Sequence, residues 1–239
     1  MKNNIDKCSC NIKEIFLSIQ GEGPYIGYRQ LFIRFCGCNL NCNYCDTDFT
    51  IDNCKIEQTP GSNDFIYSKN PQKITDLLEI INNFKDFHSI SLTGGEPLVS
   101  VEFLKEFLPK LNHPAYLETN GTLPYALEQI IDHIWAVSMD IKIPSSTKEK
   151  SYMKEHLDFI DITIKNKKEI FAKAVVTSQI TDEEIKELLN ISKKVPLIIQ
   201  PITTKDKALV LDTQTIFKIS NKIPNARIIP QAHNYIGIL

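Results

Sequence analysis

No stretch of about 18 consecutive apolar residues occurs in the chain, so no membrane span is expected. The N-terminus, MKNNIDKCSCNIKEIF, holds no apolar run long enough for a secretory leader. Neither sign of charge predominates: 27 Lys and Arg stand against 29 Asp and Glu, a formal net charge of −2. That balance argues against a broadly basic surface and against nucleic acid as the partner. Internal repeats and low-complexity tracts are absent as well. What remains is a chain of 239 residues, expected to be cytoplasmic, 42% hydrophobic and 23% charged. This is ordinary globular composition and argues against disorder. The length is within reach of a single α/β domain spanning 1–239.

Cysteine is what the sequence does have. There are seven, an odd number that cannot all pair within the chain, and Cys36, Cys38, Cys42 and Cys45 fall within ten residues. In a cytosolic chain such clustering points to metal binding or redox chemistry, not to a disulfide framework.

After residue 72 the pattern alternates, and a strand before the cysteines adds to it. Apolar runs predict strands at Leu31–Phe35, Ser89–Leu92, Ala115–Thr119, Ile134–Ile141, Glu169–Val176, Pro196–Gln200 and Arg227–Ile229. Helical spacing predicts helices at Lys73–Phe84, Val101–Leu111, Tyr125–Ile131, Thr181–Lys193 and Thr213–Ser220. Thr181 and Glu184 have the spacing of a capping box. The segment Asp52–Gln72, rich in turn formers, reads as a long loop or insertion. Strands alternating with helices imply a parallel sheet, as a partial barrel or an open doubly wound sheet. In either, ligands gather at the carboxyl ends of the strands. Cys38, Thr93-Gly94-Gly95-Glu96, Glu118-Thr119-Asn120, Asp140, Lys142 and Gln200-Pro201 all sit at the carboxyl ends of predicted strands.

Two metal chemistries suit the cysteine loop. A structural zinc site needs four ligands, usually as two pairs, and no second Cys/His pair follows at zinc-finger distance. Three thiolates on one short loop suit a four-iron cluster with one iron open to a ligand. Cys36, at a strand end, reads as a buried thiol.

Cys38-x₃-Cys42-x₂-Cys45, with Tyr44 before the last cysteine, resembles the signature of the radical S-adenosylmethionine (SAM) superfamily. Thr93-Gly94-Gly95-Glu96-Pro97 is similar to that superfamily's glycine-rich strand end. The flanking segments narrow the resemblance. Ser18-Ile19-Gln20-Gly21-Glu22-Gly23, Arg34-Phe35-Cys36-Gly37-Cys38-Asn39-Leu40 and Cys45-Asp46-Thr47 resemble the 7-carboxy-7-deazaguanine synthase family. So do Leu117 to Thr122, Ser138 to Lys142, Gln200-Pro201 and Pro230 to His233.

The resemblance implies an α/β fold, a partial (β/α) barrel of the radical SAM type. It implies a [4Fe–4S] cluster on Cys38, Cys42 and Cys45, with SAM chelating the open iron, and Mg²⁺ held by Thr47. It implies radical ring contraction of 6-carboxy-5,6,7,8-tetrahydropterin to 7-carboxy-7-deazaguanine with loss of ammonia, on the route to queuosine. Ile19, Gln20, Gly21, Glu22, Arg34 and Thr93 would contact the pterin, with Arg34 gripping its carboxylate through a guanidinium fork. Tyr44, Cys45, Asp46, Gly95, Glu118, Asn120, Ser138, Asp140, Lys142, Gln200, Pro201, Ile202 and Thr203 would line the SAM side. An external reductant such as flavodoxin and a homodimer are implied too. Two other functions compete. A glycyl-radical activase shares the cysteine spacing but is not expected to carry the Gln20–Gly23 and Arg34 set. A zinc module would need no strand-end pocket. His233 reads as a structural loop residue or as an acid/base group.

Overall fold

The computed structural model describes residues 8–45, 50–202 and 211–237. In chain order the strands and helices are β1 (Ser9–Cys10), β2 (Ile12–Ile19), β3 (Arg29–Phe35), β4 (Cys54–Glu57), β5 (Phe65–Ser68), β6 (Gln72–Lys73) and α1 (Ile74–Asn83). The alternation then runs β7 (Ser89–Gly94), α2 (Val101–Phe107), β8 (Ala115–Thr119), α3 (Pro124–Glu128), β9 (Ile134–Ile141), α4 (Pro144–Thr147) and α5 (Met153–Lys165). It closes with β10 (Glu169–Val176), α6 (Asp182–Ser192), β11 (Leu197–Pro201), α7 (Thr213–Lys222), β12 (Arg227–Ile228) and α8 (His233–Ile236).

Ten strands form one sheet in the order β12-β11-β10-β9-β8-β7-β3-β2-β4-β5. From β3 to β12 every neighbouring pair is parallel. These are the strands that the alternating pattern predicts. The sheet stays open, because β5 and β12 end it without meeting. β2 joins β3 antiparallel, and β1 pairs with β6 in a separate ribbon.

The segment read as a loop differs. Cys54–Glu57 and Phe65–Ser68 pair antiparallel as a hairpin, and β4 lies parallel to β2, so the segment extends the sheet. Pro60, Gly61, Ser62 and Asn63 sit at its tip. Turn formers dominate the composition and hide two four-residue strands. α5 is also additional. Its buried residues His156, Phe159, Ile160 and Thr163 follow helical spacing, but two of them are polar, which blurs the apolar stripe.

Period-two alternation splits the strands between two faces. Leu92, Leu117, Val137, Ile199 and their neighbours pack against the helices in the large core. Tyr116, Ala136, Phe171 and Ile198 form a smaller cluster with Tyr25, Trp135 and Ile229. Trp135 meets the Tyr25 ring edge-on at 5.1 Å. Among the described residues no helix is long and apolar enough to cross a membrane.

Candidate functional site

A cavity of about 820 Å³ collects the carboxyl ends of the parallel strands. Its wall brings together Ile19, Gln20, Gly21, Glu22, Arg34, Cys38, Cys42, Tyr44, Cys45, Thr93, Gly95, Glu118, Asn120, Asp140, Lys142, Gln200, Pro201 and Ile202. Ser138 is not among the lining residues; it is buried on β9, two residues before Asp140. Asp46, Thr47 and Thr203 lie outside the described residues.

The cysteine loop leaves the end of β3 and is pinned from outside. Asn43 donates its backbone N–H to the Thr147 carbonyl at 2.9 Å, and Asn41 donates to Glu149 Oε1 at 2.9 Å. The Lys142 ammonium donates to the Tyr44 hydroxyl at 3.2 Å and lies 5.4 Å from its ring centre. Asp140 holds the same ammonium at 2.9 Å. Burial pushes the Tyr44 hydroxyl up to about 12, against the pull of Lys142.

The donor set suits an iron–sulfur cluster. Cys38, Cys42 and Cys45 face one cavity. Among the described residues no three His, Cys, Asp or Glu side chains converge as they would around a single metal ion. Three thiols on one short loop are the donor type that a four-iron cluster takes. The remaining cysteines are placed elsewhere. Cys10 and Cys54 are buried, and burial raises their thiols to about 11 and about 12. Cys36 is half-buried and Cys8 exposed.

The glycine pair has a protein partner as well as the cavity. A side chain on Gly95 would run into the Gly37 carbonyl, and one on Gly94, at φ +116°, into the Phe35 carbonyl. The strand end thus packs backbone to backbone on the cysteine loop. Gly95 donates to the Phe35 carbonyl at 3.1 Å and Glu96 to the Gly37 carbonyl at 2.9 Å. The Glu96 carboxylate then accepts from Leu98 N at 3.1 Å, the Thr119 hydroxyl at 2.8 Å and Asn120 N at 2.7 Å. Complete burial still pushes this carboxyl up to about 7. His156, also buried, reaches the Asn120 carbonyl at 3.1 Å through Nε2; burial lowers its ring to about 4.

Two carboxylates anchor the opposite wall. Glu118 accepts from Gln20 Nε2 at 2.8 Å, the Ser91 hydroxyl at 3.0 Å and the Thr93 hydroxyl at 3.1 Å. The other Gln20 amide hydrogen goes to Gln30 Oε1 at 2.9 Å. Gln20 and Thr93 therefore spend these donors on bracing Glu118. Arg34 lines the cavity while its Nε donates to Glu14 at 2.7 Å, so the expected fork is partly an ion pair.

Glu22 pairs with Lys173 and accepts from Gln200 at 3.1 Å and Gln231 at 2.8 Å. Burial works to raise this carboxyl, but the charge and hydrogen bond of Lys173, with the Gln231 donor, hold it at about 2. Lys173 itself is raised well above its usual range despite burial, by Asp140 and Glu22.

The sequence reading missed Lys173, Val175, Gln231 and Asn234 as cavity residues. Lys173 had a usable signal: it is the one charge within the apolar run IFAKAVV, the argument that singles out Arg34. Gln231 had none beyond its neighbour His233, which lines the cavity and packs on Gly21. Two lining acceptors, Asp140 Oδ1 and Gln200 Oε1, are buried and accept no hydrogen bond within the described protein. Asp140 Oδ1 stands 3.9 Å from the Lys173 ammonium.

Comparison with known proteins accords with this geometry. Residues 32–191 match the family model described as the radical SAM superfamily. The chain is 37% identical to a 7-carboxy-7-deazaguanine synthase of Geobacter sulfurreducens, over 98% of this chain and all of that one. It is 33% identical to the enzyme of the same name from Methanothermobacter thermautotrophicus, over 95% and 97% of the two chains. The crystal structure of QueE from Escherichia coli matches the fold with a TM-score of 0.61 at 22% identity, covering 94% of this chain and 95% of that one.

Proposed function

The chain belongs to the radical SAM superfamily and, within it, to the 7-carboxy-7-deazaguanine synthases, and from this we infer a lyase that converts 6-carboxy-5,6,7,8-tetrahydropterin to 7-carboxy-7-deazaguanine and ammonia, in queuosine and 7-deazapurine biosynthesis. The observation that carries the reading is the convergence of Cys38, Cys42 and Cys45 with Arg34, Glu118 and Glu22 on one cavity. A glycyl-radical activase would share the cysteines, but the full-length relatives bear the synthase name.

The cofactors are a [4Fe–4S] cluster, SAM and Mg²⁺; when bound, they supply one-electron initiation of the ring contraction and charge stabilisation. Cys38, Cys42 and Cys45 hold the cluster in this reading, and Thr47 the magnesium. Tyr44, Gly95, Asp140, Lys142, Gln200, Pro201 and Ile202 form the SAM wall. Arg34 meets the substrate carboxylate with Glu14 bracing its Nε. Glu22, held by Lys173, Gln200 and Gln231, presents a fixed acceptor to the pterin N–H edge, and Glu118, held by Gln20, Ser91 and Thr93, presents one on the SAM side. The wall as a whole orients the substrate and keeps out water.

An external one-electron donor is required, and we propose a flavodoxin. The cytoplasm is the proposed location, and 1–239 is proposed as one domain with the β4–β5 hairpin as its insertion. A homodimer is proposed as well; the outer strand β5 exposes Ile66 and Tyr67, and a solution mass measurement decides it.

Turnover tests the function. Anaerobically reconstituted enzyme with SAM, Mg²⁺, reductant and the carboxypterin is expected to release ammonia and the deazaguanine. A colourless protein, or cluster-loaded protein without this product, overturns the reading.

A further inference from the structure

The Asn120 amide, just after β8, is fully engaged inside the protein. Its Oδ1 accepts from the Thr122 backbone N–H at 3.0 Å and the Thr122 hydroxyl at 2.6 Å. With two donors facing Oδ1, the orientation of the amide is determined and Nδ2 must face the cysteine loop. There Nδ2 donates to Asn39 Oδ1 at 2.8 Å and stands 3.8 Å from Cys38 Sγ. Asn39 Nδ2 donates to the Thr122 hydroxyl at 2.8 Å, which closes a ring of three side chains. Each donor in the ring meets an acceptor, and Asn120 and Thr122 are both buried. The Asn120 backbone is fixed in turn, its N–H on Glu96 and its carbonyl on His156.

The resemblance places Asn120 on the SAM side, yet both amide hydrogens and both acceptor positions are already taken. The one contact that leaves the ring is with the first cluster cysteine. Cys38 Sγ also receives the Leu40 backbone N–H at 3.4 Å.

We propose that Asn120 is a positioning residue for the iron–sulfur cluster, its side-chain N–H directed at the Cys38 sulfur by the Asn39–Thr122 ring, and that this hydrogen bond raises the cluster's reduction potential. The inference rests on the reading of Cys38, Cys42 and Cys45 as cluster ligands. A reduced cluster carries one more negative charge, and donors to its sulfurs stabilise that state preferentially. Asn120 sits on a strand end and is held from three sides, so the donor stays in place without reorganisation.

The test is potentiometry of the reconstituted protein, followed by electron paramagnetic resonance, without SAM or substrate. Asn120→Leu keeps the branched shape and number of heavy atoms and removes the donor. It is expected to load a full complement of iron and sulfide and to make reduction several-fold to tenfold less favourable, tenfold being about 59 mV for one electron. Thr122→Val removes the hydroxyl that orients the amide and is expected to shift the potential the same way by less. Loaded variants with the wild-type potential overturn the proposal while leaving the cluster reading intact. A wild-type protein that takes up no cluster refutes that reading instead. Wild-type protein labelled with ¹⁵N at the asparagine side-chain amides decides the matter even if both variants fail to load. A labelled nitrogen coupled to the reduced cluster supports the hydrogen bond, and its absence overturns it.

Discussion

Lys173 places an ammonium inside the sheet between two carboxylates, Glu22 and Asp140, the latter 3.9 Å away. Such a charge is tolerated only while its partners hold it. Lys173→Met is therefore expected to cost about 3–5 kcal/mol, measured by denaturant unfolding, because it strands the Glu22 carboxylate. Adding Glu22→Gln to that variant is expected to recover part of the loss, since the two residues couple directly. The same pair has a pH signature. Glu22 is held at about 2, below its ordinary 4.5, so its stabilising contribution is complete above the ordinary value and fades as pH falls through about 2. Acid unfolding of Glu22→Gln is expected to lack that component. At this scale the sequence was uneven evidence. Arg34 and Lys173 interrupt apolar strands in the same way, and either one can be found by asking what charge such a strand could afford. Gln20 illustrates the limit. Its type and its place just before Gly21 suit a ligand contact, but which partners take its two hydrogens depends on Glu118 and Gln30, brought close only by the fold.

At the scale of the element, the glycine-rich end of β7 is a joint between strand and cysteine loop. Gly95→Ala is expected to force that joint apart, because the added methyl meets backbone at Gly37 and not a movable side chain. The expected readouts are reduced iron content after reconstitution and a lower melting temperature, with far-UV circular dichroism retained. Strands β8, β9 and β10 begin and end where the apolar runs do, since parallel strands buried on both faces read as continuous hydrophobic stretches. The capping box at Thr181–Glu184 is also present as spaced. β2 and the β4–β5 hairpin were harder to see. IKEIFLSI lacks strict alternation, and CKIE and FIYS are too short to stand out beside a turn-rich tip.

In the whole molecule, the cavity is closed by both ends of the described chain. The turn after β2 carries Gln20 to Glu22, and the segment after β12 lies across it, with Ala232 donating to the Gly21 carbonyl at 2.9 Å and Gln231 to Glu22. α8 buries none of its residues, so ending the chain before Pro230 takes little from the described core. That truncation is expected to lower the melting temperature by only a few degrees, while raising KM for the pterin and uncoupling SAM cleavage from product formation. A melting loss as large as that of a core deletion would argue against it. The order of synthesis gives this arrangement a further meaning. The cysteine loop leaves the ribosome well before Gln200 and Gln231, so a nascent chain displays its metal ligands long before it has walls around them. Cluster assembly at that stage would meet water and oxygen on every side. A stalled chain ending before Pro230 is expected to take up iron and sulfide yet lose them on exposure to air faster than the finished enzyme does.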